Sequence, residues 1–321
     1  MDKKVGIIGS GIAGLVCAQV LQRAGVSVFV LDKGRGPGGR MCTRNRGQGK
    51  WDHGAQYFTA RDARFQSLVA EWEKEKIAKA WFELHPTKKE ASMRYVGKGG
   101  INTIAQYLAK DLDVRQSSKV HHIHDSGSHW VLETEDGTAH NCEELVLTPP
   151  IPQAVELLKK SSVFNSLESR ALLESVEYEK GLSVLAVLDG PSLLPSPGCL
   201  KNDNSILSWI CDNGQKGISS AGVSITLQSN PLFAKEHWDR SDSERGMLLI
   251  NAGKQYLGSE VIDFHCHAWG FAFAINPLLM SHYRSTSKRL SIAGDGFYKS
   301  RVESAALSGI ASAEAILESL K

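Results

Sequence analysis

Apolar positions along this chain fall into three patterns. Short unbroken runs, KVGIIG at 4–9, SVFVLD at 27–32 and LSIAGD at 290–295, predict buried strands. Helical spacing follows the first run at once, in IAGLVCAQVLQRAG, and stops at Gly25, a residue suited to the left-handed position after a helix. Phe65, Leu68, Val69 and Trp72 fall at i, i+3, i+4 and i+7, predicting an amphipathic helix between Arg61 and Trp81. The same spacing recurs in INTIAQYLAK, through Ile101, Ile104, Ala105 and Leu108. A last helix is predicted over VESAALSGIASAEAILESL, with small residues along one face. The third pattern is the strand-like run. MRYVGKGG reads as strand and turn, and KVHHIHD, HWVLETE and ELVLT read as three strands parted by the turn sequences DSGS and EDG.

The first strand, helix and second strand make one βαβ unit. Residues 151–290 mix helical stretches such as PQAVELLKK with strands such as LSVLAVLD and GVSITLQ, interrupted by a loop holding Pro191, Pro195, Pro197 and Gly198. The expected fold is α/β (α+β). A Rossmann-type dinucleotide domain would comprise 1–60, 97–155 and 285–321. A substrate domain on an antiparallel sheet would comprise 61–96 and 156–284.

Composition narrows the classes. At 321 residues, 42% hydrophobic and 22% charged, the chain is an ordinary globular one, long enough for two cores. A net charge of +2 supplies no global field for nucleic acid or an anionic membrane, so any anion site is local. Six cysteines without paired spacing read as free thiols of a reducing compartment, and the cytoplasm is the expected location. Gly6, Gly9, Gly11 and Gly14 break the N-terminal apolar run too regularly for a signal peptide, and no long apolar run predicts a membrane span.

Candidate chemistry begins at Gly9-Ser10-Gly11-Ile12-Ala13-Gly14, a G-x-G-x-x-G between a strand and a helix. Gly9 permits the turn, Gly11 admits a pyrophosphate to the backbone, and Gly14 allows close helix–strand packing. The helix N-terminus, at Ile12 and Ala13, offers unpaired N–H groups. Asp32 closes the second strand, placed to accept from a ribose hydroxyl. Behind it stands DKGRGPGGRM, whose Gly38, Gly39 and Arg40 would lay backbone and one guanidinium against a phosphate.

An acid followed by G-G-R resembles the flavin-containing amine oxidase superfamily, where the dinucleotide is FAD. DKGRGPGGRM, DHGAQYFTAR, RYVGKGG and AGDGFYKSRVESAALSG together resemble the renalase family, chiefly its bacterial members. That resemblance implies non-covalent FAD, with contacts carried to Ala13, Asp32, Lys33, Gly39, Arg40, Gln56, Tyr57 and Val120. It also implies contacts from Asp295 to the ribityl chain and from Arg301 and Val302 beneath the flavin pyrimidine ring. It implies an oxidase of 2- or 6-dihydro-NAD(P), passing hydride to flavin N5 and electrons to O2 to give H2O2. The chain departs from the family pattern at Gly296, Phe297 and Ser304, and HAWGFAFAINP matches it only in part.

Tyr57, His267 and Trp269 are the substrate-pocket candidates, able to stack on or hydrogen-bond a ring. No catalytic side chain is assigned, because a dihydropyridine gives up hydride without first losing a proton. His122 with His124, and His265 with His267, share strand faces, but no third and fourth ligands recur at useful spacing, so no metal is expected. Two other readings stand beside the renalase-like one. They are an FAD amine oxidase, which needs an aromatic cage, and a non-catalytic FAD-binding protein.

Overall fold

The computed structural model describes residues 3–47, 49–84, 92–202, 206–219 and 223–321. It opens with β1 (Lys4–Ile8), α1 (Ile12–Arg23) and β2 (Ser27–Leu31), the expected βαβ unit. A hairpin follows, β3 (Thr43–Arg46) and β4 (Gly49–Asp52), then α2 (Ala63–Lys74). Next come a second hairpin, β5 (Ala78–Leu84) and β6 (Ser92–Gly97), then α3 (Asn102–Ala109) and β7 (Asp113–Arg115). β8 (Val120–Asp125), β9 (Trp130–Thr134), β10 (Ala139–Cys142) and β11 (Glu144–Leu147) lead to α4 (Ile151–Lys160) and α5 (Arg170–Glu174). The middle of the chain holds β12 (Tyr178–Leu188), β13 (Cys199–Lys201), β14 (Leu207–Asp212), β15 (Val223–Ser229), α6 (Pro231–Glu236), α7 (Asp242–Leu257) and β16 (Val261–Ala274). β17 (Tyr283–Arg284), β18 (Leu290–Ile292) and α8 (Val302–Leu320) complete it.

Two sheets organise these elements. The first has order β17-β18-β11-β1-β2-β7 and is parallel except for β17. Its central strands are buried on both faces, which is why they read as unbroken apolar runs. The second is antiparallel, order β13-β14-β15-β12-β16. One of its faces packs Leu182, Val184, Leu227 and Cys266 against Leu249 and Ile250 of α7. The fold class is therefore the expected one, a Rossmann-like layer beside an antiparallel sheet.

Several details differ from the sequence reading. The stretch 119–148 holds four strands, not three. β10 is short and polar, AHNC, and pairs β9, while β11 leaves that small sheet for the parallel one. The two expected histidine pairs lie in different sheets, and among the described residues no group of three His, Cys, Asp or Glu could hold a metal ion. Gly222, the first residue of the GVSITLQ run, lies outside the described residues. α2, from the stretch assigned to the substrate domain, shares one core with α1, α3 and α8. α4 and the segment 163–176 share another with β2, β11 and β18.

Among the described residues, no helix is long and apolar enough to cross a membrane. All six cysteines are free thiols.

Candidate active site

Gly11 is the N-cap of α1, and no side chain caps it. The first intrahelical bond reaches only Leu15, so the N–H groups of Gly11, Ala13 and Gly14 have no acceptor among the described residues. A Cβ built on Gly11 would meet nothing within 4 Å, whereas one on Gly14 would lie 2.0 Å from the Gly9 carbonyl oxygen. The first glycine faces an open cradle and the second is required by packing. Thr148, just after β11, donates its hydroxyl to the carbonyls of Ile8 and Gly9 and so braces the turn.

The glycine-rich loop behind Asp32 folds back onto this turn. The Gly38 N–H donates to the Ser10 carbonyl, and Gly11 and Gly38 form a parallel bridge. Gly38 and Gly39 both have positive φ, and a side chain on Gly38 would strike the Met41 carbonyl. The Asp32 carboxylate accepts from the backbone N–H of Ser10 at 2.5 Å and of Gly34 at 2.6 Å, tying both loops to β2. Each oxygen keeps a lone pair for a further donor. Val120 opens β8 beside this loop, and the preceding Ser117 and Ser118 donate to the carbonyls of Gly34 and Asp32. Lys33 is exposed.

A second open N-terminus lies at α8, against which α1 packs. Arg301 is its N-cap, exposed and without a capping bond. The N–H groups of Val302, Glu303 and Ser304 find no acceptor among the described residues. The buried Glu303 carboxylate instead accepts from Arg61 and Asp62, joining the starts of α2 and α8.

Arg40 and Asp295, expected at the pyrophosphate and at the ribityl chain, are joined to each other. Arg40 makes a bidentate pair with Asp295, Nη1 to Oδ2 at 2.7 Å and Nη2 to Oδ1 at 2.5 Å. Asp295 also accepts from Tyr178 Oη at 3.0 Å and Ser300 Oγ at 2.7 Å. Burial pushes the Asp295 carboxyl up, but the Arg40 charge and these hydrogen bonds outweigh it and hold it below the usual range.

Residues 50–57 lie across the open face of the antiparallel sheet. Trp51 Nε1 donates to Ala186, Gln228 Nε2 to the Gly54 carbonyl, and Trp269 Nε1 to the His53 carbonyl. His267 and Trp269 come together, ring centres 4.3 Å apart, and both meet the buried His53 ring. Tyr57 stands apart from them, 5.5 Å from Trp209, with the Arg94 guanidinium over its ring. The three pocket candidates thus fall into two groups. Burial first, then the charge of neighbouring His267 and Arg44, lowers His53 to about 3. Burial and Arg44 lower His267 to about 4, so both rings are neutral at physiological pH. Arg44 itself has no acid partner among the described residues.

A dinucleotide fits what these residues leave open. Besides the two helix N-termini, the buried Ser10 Oγ and Gln56 Oε1 find no hydrogen-bond partner among the described residues. Of the three departures, Phe297 turns into the core at 0% exposure. Sequence reasoning missed Thr148, Tyr178, Ser300, His53 and Arg44; His53 lies in the DHGAQY stretch and Ser300 in the AGDGFYKSRV stretch, and the other three sit in no recognisable motif.

Fold and site together define an FAD-dependent oxidoreductase with a Rossmann-like cofactor layer. Residues 7–72 match the NAD(P)-binding Rossmann-like domain, and residues 64–317 match flavin containing amine oxidoreductase. The chain belongs to the flavin containing amine oxidoreductase family, as a renalase-like member with non-covalent FAD. It is 26% identical to mouse (Mus musculus) renalase over 289 residues, 84% of each chain. A 72-residue stretch is 37% identical to an L-amino acid dehydrogenase of Synechocystis sp., covering 22% of this chain and 15% of that one. Among solved structures, putrescine oxidase bound to putrescine matches with a TM-score of 0.75 at 13% identity, over 99% of both chains. At that identity the likeness concerns the fold.

Proposed function

We propose that this protein oxidises dihydronicotinamide dinucleotides, the 2- or 6-dihydro forms of NAD(P), with O2 as electron acceptor and H2O2 as product. The observation that carries the reading is the collinear likeness to mouse renalase over 84% of both chains. FAD, when bound, supplies the hydride acceptor. The chain's own residues then have three tasks. The open N-termini of α1 and α8 hold anionic oxygens. Arg40 adds a cation held in place by Asp295. His53, His267 and Trp269 present a wall of neutral rings, with Arg44, which has no acid partner among the described residues, at its edge.

That wall suits an aromatic substrate carrying phosphates better than a protonated amine. Asp263 is paired with Arg46 and Asp242 with Arg245, so the acids nearest it are already engaged. A dihydropyridine needs no general base, and the depressed histidines are suited to hydrogen bonding rather than proton uptake.

Anaerobic titration of the purified yellow protein with 6-dihydro-NAD tests the reading. Rapid bleaching of the flavin bands, followed by recolouring and peroxide on admitting air, is expected. Absence of bleaching rejects it, and bleaching by a panel of amines instead identifies an amine oxidase.

A further inference from the structure

Tyr178 belongs to no motif and lies at the start of β12, in the antiparallel sheet. Its hydroxyl nevertheless reaches the cofactor layer, donating to Asp295 Oδ1 at 3.0 Å. Its ring lies 5.7 Å from the Arg40 guanidinium and packs edge-on against Phe271. The other Asp295 oxygen accepts from Ser300, whose own Oγ accepts from the Ala274 N–H at the end of β16. Two adjacent strands of the antiparallel sheet, paired at Tyr178 and Ala274, thus converge on one carboxylate.

Asp295 then has four donors on its two oxygens: two from Arg40, one from Tyr178 and one from Ser300. A carboxylate has about four acceptor positions, so none is left for a sugar hydroxyl. What Asp295 can still do is hold the guanidinium. Arg40 also donates Nη1 to the carbonyls of Phe271 and Ala272 at 3.3 Å, which completes its seat. Gly296 fits the same arrangement. A Cβ there would stand 3.0 Å from Tyr178 Oη and 2.6 Å from Ile151 Cδ1. The glycine that departs from the family pattern is the one that leaves room for this hydroxyl.

We infer that Tyr178 is a cofactor-positioning residue: through Asp295 it fixes the Arg40 guanidinium for the FAD pyrophosphate, and Gly296 is glycine to admit it. The substrate sheet is thereby coupled to cofactor retention. This rests on FAD binding at the α1 N-terminus and not on the dihydronicotinamide reading.

The test is the rate of FAD release from the holoenzyme, followed by the fluorescence of free FAD after dilution. Tyr178→Phe keeps the ring and removes one hydrogen bond to a charged group, and should speed release about tenfold. Gly296→Ala should do the same by displacing the hydroxyl. The double variant should release FAD no faster than Tyr178→Phe alone, because both changes remove one interaction. Packing loss alone would make the two effects multiply. Wild-type release from yellow Tyr178→Phe protein, or multiplying effects, overturns the inference. A wild-type preparation without flavin would instead overturn FAD binding itself.

Discussion

At the scale of single residues, the site is a set of groups held in one charge state. His53 shows this most clearly. It is 5% exposed, and burial followed by the charges of His267, Arg44 and His265 lowers it to about 3 from an ordinary 6.5. The folded protein keeps this ring neutral, while the unfolded chain takes up a proton as pH falls through 6.5. The stability it contributes is therefore complete above pH 6.5 and lost progressively toward pH 3. Between pH 7 and pH 5 the loss should be about 2 kcal/mol for this ring alone. His53→Gln should lose correspondingly less than the parent over that interval. Denaturant midpoints at the two pH values decide it, and parallel losses would show that His53 is not the group responsible.

At the scale of elements, the contact between α1 and α8 sets the geometry of both open N-termini. The helix pair approaches closely because α8 offers Ala306, Gly309 and Ala313 where larger residues would stand off. A Cβ on Gly309 would lie 2.2 Å from the Ala13 carbonyl oxygen, which is backbone and has little room to yield. Gly309→Ala should cost about 1–3 kcal/mol of stability. Gly270→Ala, whose Cβ would enter open space, should change little. Thermal unfolding of the two variants side by side checks the contrast, and equal losses would refute the close-approach account. The sequence shows the small-residue face of α8 but not its partner, since periodicity identifies a face and says nothing of what covers it.

At the scale of the whole molecule, the β3–β4 hairpin is joined to the antiparallel sheet through a fully buried ion pair. Lys216, in the loop after β14, donates to Asp52 Oδ2 at 2.7 Å, and both side chains are 0% exposed. Thr43 Oγ1 and the Ile101 N–H fill the other Asp52 oxygen, and the Trp81 ring lies 5.2 Å from the ammonium. Removing one partner leaves an uncompensated buried charge, so Lys216→Met should destabilise by about 3–5 kcal/mol. Adding Asp52→Asn should recover much of that, because a neutral amide keeps hydrogen-bonding capacity without the charge. Chemical denaturation of the single and double variants measures it. Failure of the second change to restore stability would mean that the ammonium does more there than neutralise Asp52.

Local patterns carry a good deal of this protein. The βαβ unit, the helix at 302–320, the amphipathic helix through Phe65 and Trp72, and the conjunction of G-x-G-x-x-G, acid and G-G-R are all readable from the chain, since each depends on neighbours within a turn or a strand. Other features are not. β10 is too short and polar to announce itself. β16 mixes buried and half-buried positions because one face meets α7 and the other meets His53. The pairing of Arg40 with Asp295, the reach of Tyr178 across from the other sheet, and the burial of Lys216 on Asp52 join positions 255, 117 and 164 residues apart. Side-chain identity decides which charges and hydrogen bonds are available. Only tertiary packing decides which of them are brought within 3 Å and out of water, because such contacts join positions far apart in the chain.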